Sequence, residues 1–563
     1  MQKRQIFLSI ALSIAVCAGA HNTAFSQGVP GPADAGRIDP QARQPDFDDD
    51  TTNIPQIVTP EPSDRAVPEN AASVKFTLKS IRLKGARAFS EDTYKSIYQS
   101  SIDQEIPLSK VWQFAEELTN LYREKGYFLS RAYVPAQEIE NGEITIVVVE
   151  GFVGEVQFDD PQLSKTSYIR NLISNIKNSK PIASKKLEEI LLRLNALHGY
   201  SFRALLEPLG YGREGETRLV LTAAPTAALT LLELNNYGSR FLGPYQSIAT
   251  HQRSFAPGHV TTFSVLSSLP ADELKYGSIS HQYVFTPNWA LEFAGSYVKA
   301  NPGSNLAAND IDSRSKDISF GGIYHPIYQR QEDLKLFIKA FAKNTDSTVL
   351  GGNILMQEDI RGLRTGLSYN KQDRWNGYNF IDVQLTQGLD ILSASKPGNL
   401  NLSRAEAEPD FTSVNMNYIR QQALGANYLL TGKLAAQWAS QPLYSSEEFG
   451  YGGQAFGRAY DSSELTGDHG VAAAIELRYR NAHTIAETTL SPYVFYDIGK
   501  VWNEDTGGSD ISAASAGLGV HAAHPSGVQA SAGLAWPLTK DASAPIYGDG
   551  DNPRLIMQLG VNF

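Results

Sequence analysis

The sequence predicts two small α+β modules followed by a transmembrane antiparallel β-barrel of sixteen strands. Three observations carry that expectation. Helix-period apolar stripes occur twice between residues 73 and 225 and then almost vanish. From residue 226 onward, short segments alternate apolar and polar residues among many Tyr, Gly, Asn and Ser. The chain also opens on a secretory signal, and after it no apolar run reaches the ~20 residues of a spanning helix, so a membrane form must cross with strands.

Residues 1–27, MQKRQIFLSIALSIAVCAGAHNTAFSQ, have Lys3 and Arg4 before an apolar stretch from Ile6 to Ala20, with cleavage expected after Ala20 or Ser26. Cys17, the single cysteine, lies inside that stretch, and Val16 before it disfavours a lipid anchor. The processed chain is therefore expected to carry neither disulfide nor thiol chemistry. Residues 28–72 are rich in proline and read as an extended tether. Within it, the Asp48-Asp49-Asp50 run lacks the spacing and glycine of a calcium loop. The net charge of -11 offers no basic block for phosphates, so nucleic acid is excluded as a partner.

The two modules read as a repeat. Ser109 precedes a stripe of Val111, Phe114, Leu118, Leu121 and Tyr122 closed by Gly126, and Ser184 precedes Leu187, Ile190, Leu191, Leu194 and Leu197 closed by Gly199. Each has a serine suited to capping and a glycine suited to a left-handed stop. An earlier helix carries Tyr94, Ile97, Tyr98 and Ile102 in the first unit, and Tyr168, Ile169, Leu172, Ile173 and Ile176 in the second. Strands are expected over 76–85, 130–139 and 143–151, then 153–158, 202–209 and 217–223. The order in each unit is strand, helix, helix, strand, strand, which sets the modules at 73–151 and 152–225. Aromatics such as Tyr94, Tyr98, Trp112 and Phe114 are expected in the core.

In the remainder, 226–563, Leu291, Phe293 and Tyr297 share one face of ALEFAGSYV, while Glu292, Ala294 and Ser296 share the other. A sandwich could alternate in the same way. The signal, the length and a terminal strand with Leu555, Met557, Leu559, Val561 and Phe563 on one face favour the barrel. Roughly 20 residues per strand with its share of turn gives about 16 strands, an even number as such barrels prefer.

Four stretches resemble one family. YFLSRAYVPAQEIENGEITIVVVEGFVG (127–154) is similar to the end of the first POTRA module of two-partner secretion transporters, the haemolysin secretion/activation (ShlB/FhaC/HecB-like) family. LNNYGSRFLGPYQ (234–246) resembles that family's first barrel strand and turn, FGRAYD (456–461) its Val-Arg-Gly-Tyr turn, and FYDIG (495–499) its Phe-x-Asp-x-Gly strand. The resemblance implies a sixteen-stranded outer-membrane barrel with two periplasmic POTRA modules. It would capture a secreted partner protein bearing an N-terminal secretion domain and pass it unfolded to the cell surface. Its surroundings would be outer-membrane lipid and, for its own insertion, the barrel-assembly machinery.

The resemblance also pairs Arg458 with Asp497. Strand alternation puts Phe495, Asp497 and Gly499 on one face and the apolar Val494, Tyr496 and Ile498 on the other, so Asp497 is expected in the lumen. A guanidinium folded into a partly dry lumen needs a carboxylate. The expectation is a salt bridge holding loop 448–470 inside the barrel, the alternative being two separately solvated charges. Gly457 and Ala459 stand where the family has Val and Gly, while Tyr460 is retained. The family's plug helix is represented only by ADAGRIDPQARQ (33–44), interrupted by Pro40, which allows a short helix at most. Phe563, Val561 and Leu559 are the expected barrel-assembly face of the last strand.

Enzymatic readings find no support: there is no Gly-x-Ser-x-Gly elbow, HExxH or Walker sequence, and no cofactor or metal is expected. His521 and His524, three apart, do not share a strand face, and GDGD (548–551) reads as a turn. The competing functions are an insertase of the same superfamily and, less favoured, a passive porin.

Overall fold

The computed structural model describes residues 29–38, 57–58, 67–68, 70–197, 199–209, 213–480, 484–504, 510–543, 545–546 and 548–563. The expected signal segment and the Asp48–Asp50 run lie outside these residues.

The first module contains β2 (Lys75–Thr77), β3 (Ser80–Lys84), α1 (Glu91–Tyr98), β4 (Glu105–Pro107), α2 (Ser109–Glu124), β5 (Arg131–Tyr133) and β6 (Glu143–Val149). The second contains β7 (Phe152–Phe158), α3 (Ser167–Asn178), α4 (Ser184–Asn195), β8 (Tyr200–Pro208) and β9 (Glu216–Pro225). In both, the last strand is central: β6 pairs parallel with β3 and antiparallel with β5, and β9 pairs parallel with β7 and antiparallel with β8. The sequence repeat is thus a repeat of topology. A further two-residue strand from the tether, β1 (Ile57–Val58), lies parallel on the free edge of β8, with Ile57 opposite Ala204 and Val58 opposite Leu205.

The apolar stripes pack as their spacing requires. Val111, Phe114, Leu118 and Tyr122 of α2 are buried with Tyr94 and Tyr98 of α1 against Ile144, Ile146 and Val148 of β6. Trp112 is only partly buried beside them. Gly126 ends α2 at φ 86°, which lets the Tyr127 N–H donate back to the Tyr122 carbonyl at 2.8 Å.

Some local expectations need correction. Ser109 and Ser184 are each the first helical residue, and the cap positions belong to Leu108 and Ala183, with no side-chain hydrogen bond. The Ser184 backbone N–H instead donates to the Gly126 carbonyl at 2.8 Å, tying the second module to the first. Ile102 lies beyond the end of α1. Segment 76–85 is two strands, because Leu78 turns into the core and β2 pairs with β4 instead of the main sheet.

The barrel begins with β10 (Leu229–Asn235), β11 (Gln246–Ala256), β12 (His259–Ser268), β13 (Leu274–Thr286), β14 (Trp289–Ala300) and β15 (Asp312–Gln329). It continues with β16 (Glu332–Val349), β17 (Asn353–Gln372), β18 (Gly377–Gly388), β19 (Thr412–Leu424) and β20 (Tyr428–Ala439). A hairpin, β21 (Phe449–Tyr451) with β22 (Leu465–Gly467), stands apart from the wall. The wall resumes with β23 (His469–Tyr479), β24 (Thr484–Ile485), β25 (Thr488–Trp502), β26 (Ile511–Ala523), β27 (Val528–Pro537) and β28 (Arg554–Asn562).

Because β24 is a two-residue continuation beside β23 on the same neighbour, the closed antiparallel sheet has 16 strands. Closure is made by β10 against β28, from Leu231 opposite Asn562 to Asn235 opposite Gln558. Turns on the module side are short (257–258, 287–288, 330–331), whereas the far side carries long loops (389–411, 440–468, 538–553). The outer wall exposes large apolar side chains, among them Phe293, Phe320, Ile338, Leu434, Val494 and Leu559.

The second module docks on the module-side turns through Arg193 of α4. It donates to the Pro287 carbonyl and, at 3.4 Å, to the His325 carbonyl, and packs 5.6 Å from the Tyr328 ring.

Candidate functional site

Loop 440–468 folds back into the lumen, and its inward hairpin lays Phe449, Tyr451, Phe456, Tyr460 and Leu465 against the wall residues Ala472, Ala474, Tyr493, Phe495 and Ile556. At the tip, Arg458 meets β25. Its Nη2 donates to Asp497 Oδ1 at 2.9 Å and its Nε to Asp497 Oδ2 at 3.1 Å, and its backbone N–H reaches the same Oδ2 at 3.0 Å. Ser515 Oγ donates to that oxygen from β26 at 3.3 Å, so both oxygens of Asp497, which has no solvent exposure, are hydrogen-bonded.

A second carboxylate completes the grip: Arg458 Nη1 donates to Glu476 Oε2 of β23 at 2.6 Å. Burial opposes charge on the guanidinium, but Asp497 and Glu476 outweigh it and raise its pKa above the ordinary arginine value. The guanidinium sits over Phe495, with Cζ 3.5 Å from the ring centroid, and Phe495 stacks in turn on Tyr493.

The small residues around this contact have steric reasons. A Cβ on Gly499 would stand 2.2 Å from the Tyr451 ring, so the glycine makes the bed on which the hairpin lies. The left-handed residue of the turn is Gly457, at φ 70°, and Ala459 is tolerated where the family has glycine because it needs no such conformation. Tyr460 is fully buried, and its hydroxyl lies 2.7 Å from the Lys540 carbonyl and 3.1 Å from the Ala514 carbonyl. Gly457, Arg458, Tyr460, Phe495, Asp497 and Gly499 are therefore gathered in one contact between loop and wall.

Two further anchors hold the loop in place. Asp461 accepts from Arg554 Nη1 of β28 at 2.9 Å, and Arg554 Nη2 also reaches the carbonyls of Asn236 and Gly238 at 3.2 and 3.0 Å. Loop and wall thus exchange charges of both signs. The other anchor corrects the start of the expected tether: residues 29–38 are folded into the lumen as two 3₁₀ turns, Gly31–Ala33 and Ala35–Arg37, rather than extended or a short α-helix. Asp34 interrupts them, accepting from the Gly36 N–H and from Ser445 Oγ, each at 2.8 Å. Arg37 donates to the Ser445 carbonyl and, at 2.9 Å, to the Glu448 carbonyl, with the Glu448 carboxylate at 3.6 Å. Pro32 accepts from Ser239 Oγ at 2.6 Å.

Between these plugging parts and the module-side rim runs a cavity of about 610 Å³, lined by polar residues such as Glu233, Lys433, Arg458, Glu476 and Gln558 and by apolar ones such as Leu231 and Ile556. The expected assembly face of the last strand lies on the outer wall, where Leu559 and Phe563 are exposed. Val561 sits opposite Leu232 of β10, and Phe563 exchanges backbone hydrogen bonds with Thr230 at 2.9 and 3.0 Å. His521 stacks on Tyr493 in the lumen, whereas His524 bonds Ser526 in the following turn.

Residues 76–151 match the model of the POTRA domain, ShlB-type, and residues 215–522 match that of the haemolysin secretion/activation protein ShlB/FhaC/HecB. The chain is similar to the heme/hemopexin transporter protein HuxB of Haemophilus influenzae, 21% identical over 463 residues that cover 76% of each protein. It is likewise 21% identical to the hemolysin transporter protein ShlB of Serratia marcescens over 458 residues, 79% of each. Among solved structures, CdiB from Escherichia coli superposes with a TM-score of 0.68 at 17% identity, over 90% of this chain and 93% of that one. With its barrel model matched over more than half its length, on a closed barrel preceded by a POTRA module, the chain belongs to the haemolysin secretion/activation protein ShlB/FhaC/HecB family.

Proposed function

We propose that this protein recognises an exported partner protein at its periplasmic modules and carries it, unfolded, through the barrel to the cell surface. The observation that carries this reading is that the lumen is occupied by parts of the chain that are not strands of the barrel wall. Loop 440–468 and residues 29–38 are held there by apolar packing, ion pairs and side-chain hydrogen bonds, and neither joins the strand ladder of the wall. Such contacts suit a passage that opens for a client.

Capture by strand addition fits the modules, since backbone pairing gives affinity while alternate side chains give selectivity. The second module already accepts an extended segment on β8, its own β1. Asp497 and Glu476, with Arg458 between them, would keep the loop seated until the client displaces it. Phe563, Val561 and Leu559 would present the last strand to the assembly machinery. Transport would draw on folding of the client outside the cell.

The test is to delete the gene in its native cell and compare exported and outer-membrane proteins. Loss of one large exported protein, encoded beside this chain and carrying an N-terminal secretion domain, is the expected result. Depletion of many unrelated outer-membrane barrels, with that protein still at the surface, would favour the insertase.

A further inference from the structure

The outer wall is apolar at most lipid-facing positions, but a polar cluster with one permanent cation interrupts it where β11, β12 and β13 approach the periplasmic turns. Alternation decides which side chains face lipid. On β11, Arg253 shares the face of the exposed Phe255. His259 and Thr261 of β12 share that of Phe263 and Val265, and His281 and Tyr283 of β13 share that of Ile279. Register then gathers them: Arg253 lies opposite Thr261, and Thr261 opposite His281.

The cluster is organised by hydrogen bonds. Thr261 Oγ1 and His281 Nδ1 are 2.8 Å apart, and His281 Nε2 and His259 Nδ1 are 3.2 Å apart. When the threonine hydroxyl donates into this chain, His281 donates to His259 and the His259 Nε2–H becomes the open end. The His259 ring stacks on Tyr283 with centroids 4.3 Å apart, which fixes its direction.

Arg253 lies 5.5 Å from the Phe255 ring, and among the described residues no carboxylate pairs with it. Arg420, also outward-facing near the periplasmic side, contrasts with it by reaching Asp373 at 2.7 Å. A guanidinium on the lipid face grows more costly with depth, so Arg253 calls for an anion from its surroundings. Its height on the barrel says which: β11 ends at Ala256, and β12 starts at His259 after a two-residue turn, so the cluster lies at headgroup level of the periplasmic leaflet.

We propose that Arg253, Thr261, His281 and His259 form a binding site for the phosphate of a phospholipid in the periplasmic leaflet. The arginine fork suits phosphate oxygens, and the hydroxyl–imidazole chain supplies a neutral donor beside it. Phe255 and Tyr283 flank the site as apolar and amphipathic contacts for the glycerol and upper acyl chains.

The test titrates dioleoylphosphatidylglycerol into the full chain in detergent and counts bound lipid by native mass spectrometry. The double variant R253Q/H259Q is compared with the wild type, and both are checked for the heat-sensitive gel mobility of a closed barrel. Removing the permanent charge alone should weaken binding about fivefold. Dioleoylglycerol, which has the same chains without phosphate, should bind the wild type no better than the phospholipid binds the variant, and inorganic phosphate should give no adduct. Equal phospholipid binding by both proteins, or equal binding of the two lipids by the wild type, overturns the proposal. So does a phosphate adduct without lipid. If the variant fails to close, the comparison of the two lipids on the wild type still decides.

Discussion

Arg458 on the lumen loop and Asp497 on β25 share three hydrogen bonds, two through the guanidinium fork and one through the Arg458 backbone N–H. The backbone bond means that the carboxylate grips the turn itself as well as the cation. A neutral replacement at 497 therefore loses more than a charge pair.

D497N leaves a buried guanidinium with only Glu476, and breaking such a pair costs about 3–5 kcal/mol. E476Q removes one contact of several and should cost about 1–3 kcal/mol. Cys17 is the only cysteine, so a single thiol can be introduced at the buried Ala459. Maleimide labelling of A459C should be fast with D497N, intermediate with E476Q and slow otherwise. The double reversal R458D/D497R should remain defective, because the reversed pair leaves two carboxylates facing each other at Glu476.

Gly499 yields a steric prediction. G499A puts a methyl group 2.2 Å from the Tyr451 ring and should destabilise the seated hairpin by about 1–3 kcal/mol. Y451A removes the obstacle, so the double variant should be less disturbed than the two single effects combined. The same labelling assay reads the difference.

Arg193 is expected to set the angle between the second module and the barrel. R193A removes its bonds to the Pro287 and His325 carbonyls and its contact with Tyr328. Spin labels on α3 and on turn 330–331 should then show a broader distance distribution, with the heat-sensitive gel mobility of the barrel unchanged.

Deleting Phe563 should slow barrel closure. It removes the two backbone bonds to Thr230 that extend a seam only five residue pairs long. Pulse-chase monitoring of the closed form should show delayed accumulation, while the finished protein keeps its mobility.

What could be read beforehand follows from periodicity. Alternation assigned Phe495 and Asp497 to the lumen because their neighbours Val494, Tyr496 and Ile498 suit only lipid. The link from Asp497 to Arg458 came from the family resemblance, since no local pattern connects residues 39 apart. Glu476 and Arg554 alternate like other inward polar residues, and nothing in their strands marks which ones meet the loop. The contact of Arg37 with Ser445 spans 408 residues, and closely set prolines and glycines hide the 3₁₀ turns that present it. The serine caps failed because Leu108 and Ala183 hold the positions the serines were expected to take.

The most direct measurement reconstitutes the purified chain into liposomes with its modules outward and adds, unfolded, the exported protein that the gene deletion identifies. That protein is expected to become protected from external protease inside the vesicles. Protection at the same level in vesicles without the chain, or none with it while an unrelated barrel inserts, would contradict translocation by this chain.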